Sequence, residues 1–427
     1  MNKIDGSFIH ESDRKRITKK LPNWPEMQFL IEFKKGGTAK DPFDDIAGHD
    51  PDSSAKTRRA VRGQIMAYAE CLFSYQHRHA AFLLFVNGNM FRVLCWDRSG
   101  VTVTEAMDYI RTIDGTKALL KVTYALSKLN HAQQGVDTTA TRLLPGSCGW
   151  ARMDLLSQSI SDDLDSAEGL IEGDVHEVFT NPEETVTYGS LSDRAFPRYR
   201  LTVAGQDYLV GKHIFIAFGM IGRGTRGYVA LEWKTQRFVF LKDSWRACYT
   251  GVESEGTILS ILNANGITNV PTVVQHSDVF FPPDEAKPGA GLRHMVHTRL
   301  VVKEICLPLT AFTSSRQLVR IIYGCITAHG LAWLKCKYMH RDVSAGNLLI
   351  YPEVRRTQEG KYRIYWTGIL ADWELAKHAD KKVATQPQRT GTWHFMSVYL
   401  LDHPGMPTTI ADELEAFLHV LVYGLVR

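Results

Sequence analysis

Asp342 and Asn347 stand five residues apart in the string His340-Arg341-Asp342-Val343-Ser344-Ala345-Gly346-Asn347. An apolar helical pattern over 318–334 precedes it and the apolar run Leu348-Leu349-Ile350 follows, so the spacing predicts helix, polar loop and strand in that order. In a phosphoryl-transfer enzyme a loop of this form supplies an Asp that takes the proton of the attacking hydroxyl and an Asn that holds a magnesium ion. Asp342 and Asn347 are the candidates for these two roles.

Residues elsewhere in the chain fit the same chemistry. Gly222-Arg223-Gly224-Thr225-Arg226-Gly227-Tyr228-Val229 lies between two strand-like runs and leads into a strand, not into the helix that a dinucleotide-binding turn would open. Glycines let the backbone of such a hairpin come close to triphosphate oxygens, so Gly222, Gly224, Gly227 and Val229 are candidates for covering a nucleotide. Lys242 follows the apolar run Phe238-Val239-Phe240-Leu241, where an ammonium reaches α- and β-phosphates if a carboxylate steadies it. Glu253 and Glu255 both stand in the helical pattern that follows. Glu255 is preferred, because Ile258 and Leu259 at three and four positions on turn it toward the core face. Asp372 closes the apolar run Ile369-Leu370-Ala371, where a carboxylate can bridge magnesium to phosphates while Trp373 packs inward. The polar segment Arg389-Thr390-Gly391-Thr392-Trp393-His394-Phe395-Met396 offers threonines to position a hydroxyl near Asp342.

Taken in order, these residues resemble the eukaryotic protein kinases, and most closely the fungal-type protein kinase family. The resemblance rests on His340 to Asn347, on Asp372-Trp373-Glu374-Leu375-Ala376 and on Arg389 to Met396, and it covers residues 195–427. That family also carries an N-terminal region like the one here. The resemblance implies an α+β, two-lobed protein-kinase-like fold and phosphorylation of protein Ser or Thr with ATP and Mg2+. Lys242 is implied to hold the phosphates, Glu255 to steady it, Asp342 to act as base with Arg341 beside it, and Asn347 and Asp372 to hold the metal. Thr392 falls where Ser/Thr kinases contact the catalytic Asp, which implies Ser or Thr as acceptor. A hinge near Val302 to Cys306, with Glu304 in it, is implied to bond adenine through its backbone.

The chain departs from the kinase pattern at several points. Ser344 stands where most Ser/Thr kinases carry a Lys that neutralises the transferring phosphoryl group. Glu374 replaces the usual Gly after the metal-binding Asp. The stretch between Asn347 and Asp372 is longer than usual, with Arg355-Arg356 and Gly360 suggesting a long hairpin, and Ser397-Val398-Tyr399 replaces an Ala-Pro-Glu anchor. Arg427 follows closely on Asp412-Glu413-Leu414-Glu415-Ala416-Phe417, so the helical lobe is expected to be truncated. These departures motivate an alternative reading as a nucleotide-binding pseudokinase or scaffold. Phosphate on Thr385 or Thr390, pairing with Arg341, is the expected form of regulation.

A chain of 427 residues exceeds one ordinary core, and 44% hydrophobic with 22% charged residues fits a globular protein. The expected divisions are an N-terminal α/β domain over 1–130, an acidic, polar connector over 131–194 that includes Asp162-Asp163-Leu164-Asp165, a sheet-rich lobe over 195–306 and an incomplete helical lobe over 307–427. A net charge of +4 does not announce a nucleic-acid binder, and no apolar run is long enough to span a bilayer. Seven cysteines without a C-x-x-C pair suit a reduced intracellular setting, cytoplasmic or nuclear, the basic Arg14-Lys15-Arg16 and Lys19-Lys20 being the one localisation signal. In the first domain, a strand over 27–35, helices over 57–73, 103–110 and 117–129, and a hairpin closed by Asn87-Gly88-Asn89 are expected. Glu32-Phe33-Lys34 at a strand end and Gln64 with Tyr68 on a helix resemble the PD-(D/E)xK nuclease fold, in which carboxylates hold a metal and the Lys helps activate water. A third carboxylate from an earlier strand is needed; no Pro-Asp precedes Glu32 and Asp13 is a poor candidate. An inactive domain that serves interactions, or a metal-dependent nuclease, are the two readings.

Overall fold

The structure, a computed structural model, describes residues 4–17, 22–46, 52, 55–157, 196–217, 219–248, 252–280, 295–356, 362–380 and 391–426. In the N-terminal domain, Gly6–Ile9 (β1) pairs antiparallel with Met27–Lys34 (β2). Lys56–Tyr75 (α1) then crosses over to Ala81–Asn87 (β3), which lies parallel to β2. The buried face of α1 includes Val61, Ile65, Tyr68, Ala69 and Leu72, the residues that three-and-four spacing selects. Gly88, at φ +63°, makes the tight turn into Met90–Trp96 (β4), and Val101–Val103 (β5) and Met107–Asp108 (β6) add to β4.

No helix forms over 103–110. The β-branched Val101, Thr102 and Val103 extend into β5, and Asp108 closes a turn by accepting from the amides of Ile110 and Arg111. The next helix, Ile113–Lys128 (α2), begins instead at Thr112, whose hydroxyl accepts from Gly115 N at 3.0 Å.

A second sheet of eight strands follows. Its members are Ala140–Leu143 (β7), Arg198–Val203 (β8), Gln206–Val210 (β9), Phe215–Ile216 (β10), Arg226–Glu232 (β11), Phe238–Ala247 (β12), Val273–Phe280 (β13) and Met295–Val302 (β14). They run β13-β14-β12-β11-β9-β8-β7, with β10 on β11, and all pairs are antiparallel. β7 comes from the stretch read as a connector. Cys148–Ser157 (α3), from the same stretch, places Met153 in a cluster with Leu209, Val229 and Leu231. The acidic stretch at 162–165 lies outside the described residues.

Glu255–Ala264 (α4), capped by Ser254, lies beside β13, and a helical half follows. Ser315–Cys336 (α5) stops where Lys337 turns left-handed at φ 58° and its N–H bonds the carbonyls of Ala332 and Trp333. Leu307–Pro308 (β15) precedes α5, and Tyr338–Met339 (β16) follows it. The long hairpin between Asn347 and Asp372 is made by Leu348–Arg356 (β17) and Tyr362–Leu370 (β18); Gly360 lies outside the described residues. β18 packs on α5 at Gly368, where a Cβ would lie 2.1 Å from the Ile321 carbonyl oxygen. Lys377–His378 (β19), which pairs with β16, Val398–Asp402 (α6) and Ile410–Val426 (α7) complete the described fold. One hydrophobic cluster runs from Leu259 on α4 and Leu300 on β14 through Ile321 on α5 to Val343, Trp373 and Phe417. The segments around Asp342 and Asp372 are therefore set into the core that joins the sheet-rich and helical halves.

Candidate active site

Period-two alternation along β12 sends Lys242 and Asp243 to opposite faces of the sheet. On the cleft face, Lys242 Nζ lies 2.6 Å from Glu255 Oε2 and 2.8 Å from Asp372 Oδ1. The other oxygen of Glu255 accepts from Trp373 N at 3.2 Å, so one carboxylate at the start of α4 fixes both the lysine and the segment after Asp372. Glu253 points elsewhere and accepts from the Tyr338 hydroxyl at 2.9 Å. Burial opposes the Lys242 ammonium, but Asp372, Glu255 and Glu374 outweigh it and hold its pKa above the ordinary value. Burial pushes the Asp372 carboxyl up, while Lys242 and Arg223 pull it to about 2. Glu255 is raised, burial outweighing the attraction of Lys242.

The Asp342 carboxylate is held from both sides. Its Oδ1 accepts from Thr392 N and Thr392 Oγ1, each at 2.8 Å, and its Oδ2 from Asn347 Nδ2 at 3.1 Å. Asn347 Nδ2 also donates to Asp342 O at 2.8 Å. Gly391 sits at φ +115°, where a Cβ would come 3.1 Å from Arg341 O; only glycine lets Thr392 close on the loop in this way. His340 bonds Ala371 O at 2.9 Å through Nε2 and meets the Trp373 ring edge-on at 4.7 Å. Trp373 is fully buried and donates Nε1 to Leu370 O. Arg341 reaches Leu375 O at 3.4 Å; Thr385 and Thr390 lie outside the described residues.

The glycine-rich loop is held by the N-terminal domain. Gly222 N donates to Arg98 O at 2.9 Å, and the Arg98 guanidinium donates to Gly219 O and Met220 O. Glu70 on α1 accepts from Gly219 N at 2.7 Å, and Met220 is buried in the core of that domain. A Cβ on Gly224 would lie 2.2 Å from the Arg98 guanidinium carbon, so the glycine makes room for this contact. Gly227 pairs with Lys242 across β11 and β12, and Val229 is buried. Glu304 uses its side chain to accept from Thr272 N and Oγ1, both at 2.7 Å, which fastens the chain beyond β14.

Four features of this region are not legible in the sequence. Glu413 on α7 is buried and accepts from His340 N at 3.1 Å, from Arg341 N and from His329, pinning the loop that holds Asp342. Arg223 and Glu374 form an ion pair at 3.0 Å across the cleft. Ser397, fully buried, donates its hydroxyl to Asp412 at 2.5 Å and so anchors the segment that lacks the usual carboxylate. On the other face of β12, Asp243 is buried among Arg226 at 2.6 Å, His297 at 2.6 Å, Arg299 at 3.1 Å and His77 at 3.2 Å. No local pattern marks these partners, because each pair is drawn from distant segments.

Oxygen donors suited to a hard divalent cation converge here. Glu255, Asp372 and Glu374 each place a carboxylate oxygen within 4.8 Å of the others. These oxygens suit a hard divalent cation, which would supply charge neutralisation at phosphate oxygens.

The N-terminal strand pair gathers a second cluster. Glu32 is buried, its Oε1 takes Lys34 and Gln64 (2.9 Å), and its Oε2 has no hydrogen-bond partner among the described residues. Gln64 also bonds the Tyr68 hydroxyl at 2.5 Å. Asp13 pairs with Arg16, whereas Asp5, just before β1, accepts from Phe33 N at 2.9 Å and lies close enough to Glu32 to act on it. Burial and Asp5 raise the Glu32 carboxyl against the pull of Lys34.

Two halves of mixed α+β structure meeting at Lys242, Glu255, Asp342 and Asp372 are consistent with a kinase-like fold. The chain belongs to the fungal protein kinase family, whose model matches residues 34–288 and 282–425, so the match takes in most of the N-terminal domain as well as the region around Asp342. Kinase chemistry on a protein substrate, with ATP and a metal, is what that family stands for. No curated protein gives a match to the chain. No helix among the described residues is long and apolar enough to cross a membrane.

Proposed function

We propose that the protein transfers the γ-phosphoryl group of ATP to Ser or Thr hydroxyls of a protein substrate inside the cell. The observation that carries this is the grip on Asp342: a Thr392 backbone amide and hydroxyl on one oxygen and Asn347 on the other leave a carboxylate aimed as a base. In this reading Lys242, steadied by Glu255, orients the α- and β-phosphates, Gly222, Gly224 and Gly227 with Val229 cover them, and adenine meets the backbone near Glu304. Asp342 takes the hydroxyl proton. Asn347 and Asp372 hold Mg2+. Labelled ATP with Mg2+ and a generic protein substrate is expected to give phosphoserine and phosphothreonine. Phosphotyrosine as the main product would refute the acceptor assignment, and nucleotide binding with no transfer would make the protein a scaffold.

One observation favours a second reading for the N-terminal domain. Asp5, just before the earlier strand β1, supplies the carboxylate that Glu32 and Lys34 lack in the sequence, and with them it makes a candidate site for metal-dependent phosphodiester cleavage. Incubation of duplex and single-stranded DNA with Mg2+ or Mn2+ is expected to give cleavage that Glu32→Ala abolishes. Equal cleavage by Glu32→Ala would remove this reading and leave the domain as a support for the glycine-rich loop.

A further inference from the structure

Ser344 leaves the catalytic loop without a cation at the place where charge on the transferring phosphoryl group is usually met. It is short, uncharged and buried. Within His340 to Asn347 the one permanently charged cation is Arg341, and its guanidinium is turned to Leu375 O. The cleft still collects negative charge: Asp342, Asp372, Glu255 and the additional Glu374 stand against Lys242. A second cation is present, and it comes from the glycine-rich loop. Arg223 Nη1 lies 3.0 Å from Glu374 Oε2 and 3.6 Å from Asp372 Oδ2. Lys242 takes the other oxygen of Asp372 and lies 3.8 Å from Glu374 Oε2, so the two cations share both carboxylates.

The backbone at Arg223 is fixed. Its carbonyl accepts from Trp245 N at 2.8 Å, and Gly222 on one side is tied to Arg98. The side chain keeps 41% of its surface open, which leaves it free to exchange partners within the cleft. A guanidinium matches two phosphate oxygens at once, which a carboxylate pair at the cleft mouth only mimics.

We propose that Arg223 is the cation that contacts the transferring phosphoryl group, supplied by the glycine-rich loop in place of a lysine at position 344, and that Glu374 holds it ready when nucleotide is absent. The inference rests on the kinase reading above. In the transfer, the acceptor hydroxyl oxygen bonds to the γ-phosphorus as the bond from that phosphorus to the β,γ-bridging oxygen breaks. The bonding pair leaves with ADP and the hydroxyl proton passes to Asp342. Arg223 stays protonated throughout and stabilises charge on the equatorial phosphoryl oxygens. The N-terminal domain thereby becomes a positioning element, since Arg98, Glu70 and the buried Met220 fix the loop that carries Arg223.

The test uses the full chain with Arg223→Met, Arg223→Lys and the charge-swapped pair Arg223→Glu with Glu374→Arg. Three quantities are read: transfer from labelled ATP, affinity for Mg·ADP with and without aluminium fluoride as transition-state mimic, and melting temperature. Arg223→Met is expected to lower kcat about 100-fold or more, as for loss of a donor aimed at developing charge. Its KM for ATP should move far less, and its tighter binding of the aluminium fluoride complex over Mg·ADP should disappear. Arg223→Lys recovers part of both. The swapped pair restores the salt bridge without returning a cation to the loop, so it should stay as slow as Arg223→Met. Recovery of turnover in the swapped pair, or wild-type turnover in Arg223→Met, would overturn the inference and leave the kinase reading standing. A wild-type chain that binds Mg·ADP in neither form and transfers nothing would remove the kinase reading and this inference with it.

Discussion

Asp342→Asn is expected to lower phosphoryl transfer about 100- to 10,000-fold, the range over which a positioned general base contributes. The substitution is nearly isosteric, and an amide oxygen in place of Oδ1 still accepts from Thr392 N and Oγ1. The new amide nitrogen faces Asn347 Nδ2, donor against donor, where Oδ2 accepted a bond at 3.1 Å. In the proposed kinase reading, what is lost is the acceptor for the hydroxyl proton. Nucleotide affinity should change little, because Lys242, Glu255 and Asp372 make none of their contacts through Asp342. Single-turnover transfer and calorimetric titration with Mg·ATP separate the two effects. Transfer at the wild-type rate would remove Asp342 from the role of base.

Asp243→Ala is expected to destabilise the fold by about 3–5 kcal/mol, the cost of breaking a buried ion pair by removing one partner. The carboxylate is 1% exposed and is shared by Arg226, Arg299, His297 and His77. Burial alone would raise its pKa, but His297, Arg299 and Arg226 hold it well below the ordinary value. Its absence leaves two buried guanidinium groups short of a counter-charge. Arg299 keeps Asp137, and Arg226 keeps the Phe73 and Gln76 carbonyls, which limits the loss. Because the network ties β11, β12 and β14 to His77 and Asp137, a shared unfolding transition for the N-terminal domain and the sheet is also expected. Denaturant titration followed by tryptophan fluorescence reads both; a midpoint equal to the wild type would show that the charges contribute no net stability.

The same network sets an acid limit. Burial, and next to it Arg226, lowers His77 to about 4, and burial followed by His297 lowers His79 to about 4. Both remain neutral in the folded chain while the unfolded chain protonates them near the ordinary value of about 6.5. The unfolded state then binds more protons, so stability is full above about pH 6.5 and falls as the pH drops toward 4. Asp243 adds a further loss only below the ordinary carboxylate range, as its lowered pKa is crossed.

Local chemistry was readable where residues close in sequence act together. The loop from His340 to Asn347, the apolar run before Lys242, the core-facing spacing behind Glu255 and the hairpin at Gly88 each follow from a period or a short motif. The helix expected over 103–110 failed because its apolar spacing was ambiguous, and β-branched residues with an Asp turn settled it as short strand pieces and a turn. The stretch over 131–194 reads as polar and acidic, yet β7 and α3 within it find partners in the second sheet. A four-residue strand has too little pattern to declare itself until an edge is there to receive it.

The sequence by itself determined that Lys242, Asp342, Asn347 and Asp372 stand in the order of the kinase pattern. Only the tertiary structure decided what holds and surrounds them: Glu413 beneath the loop, Arg223 opposite Glu374 and Arg98 behind the glycines; it also set Asp5 beside Glu32. Each of these is a contact between charges or amides brought together by packing. Pairing of that kind depends on distance in space, and no spacing along the chain encodes it.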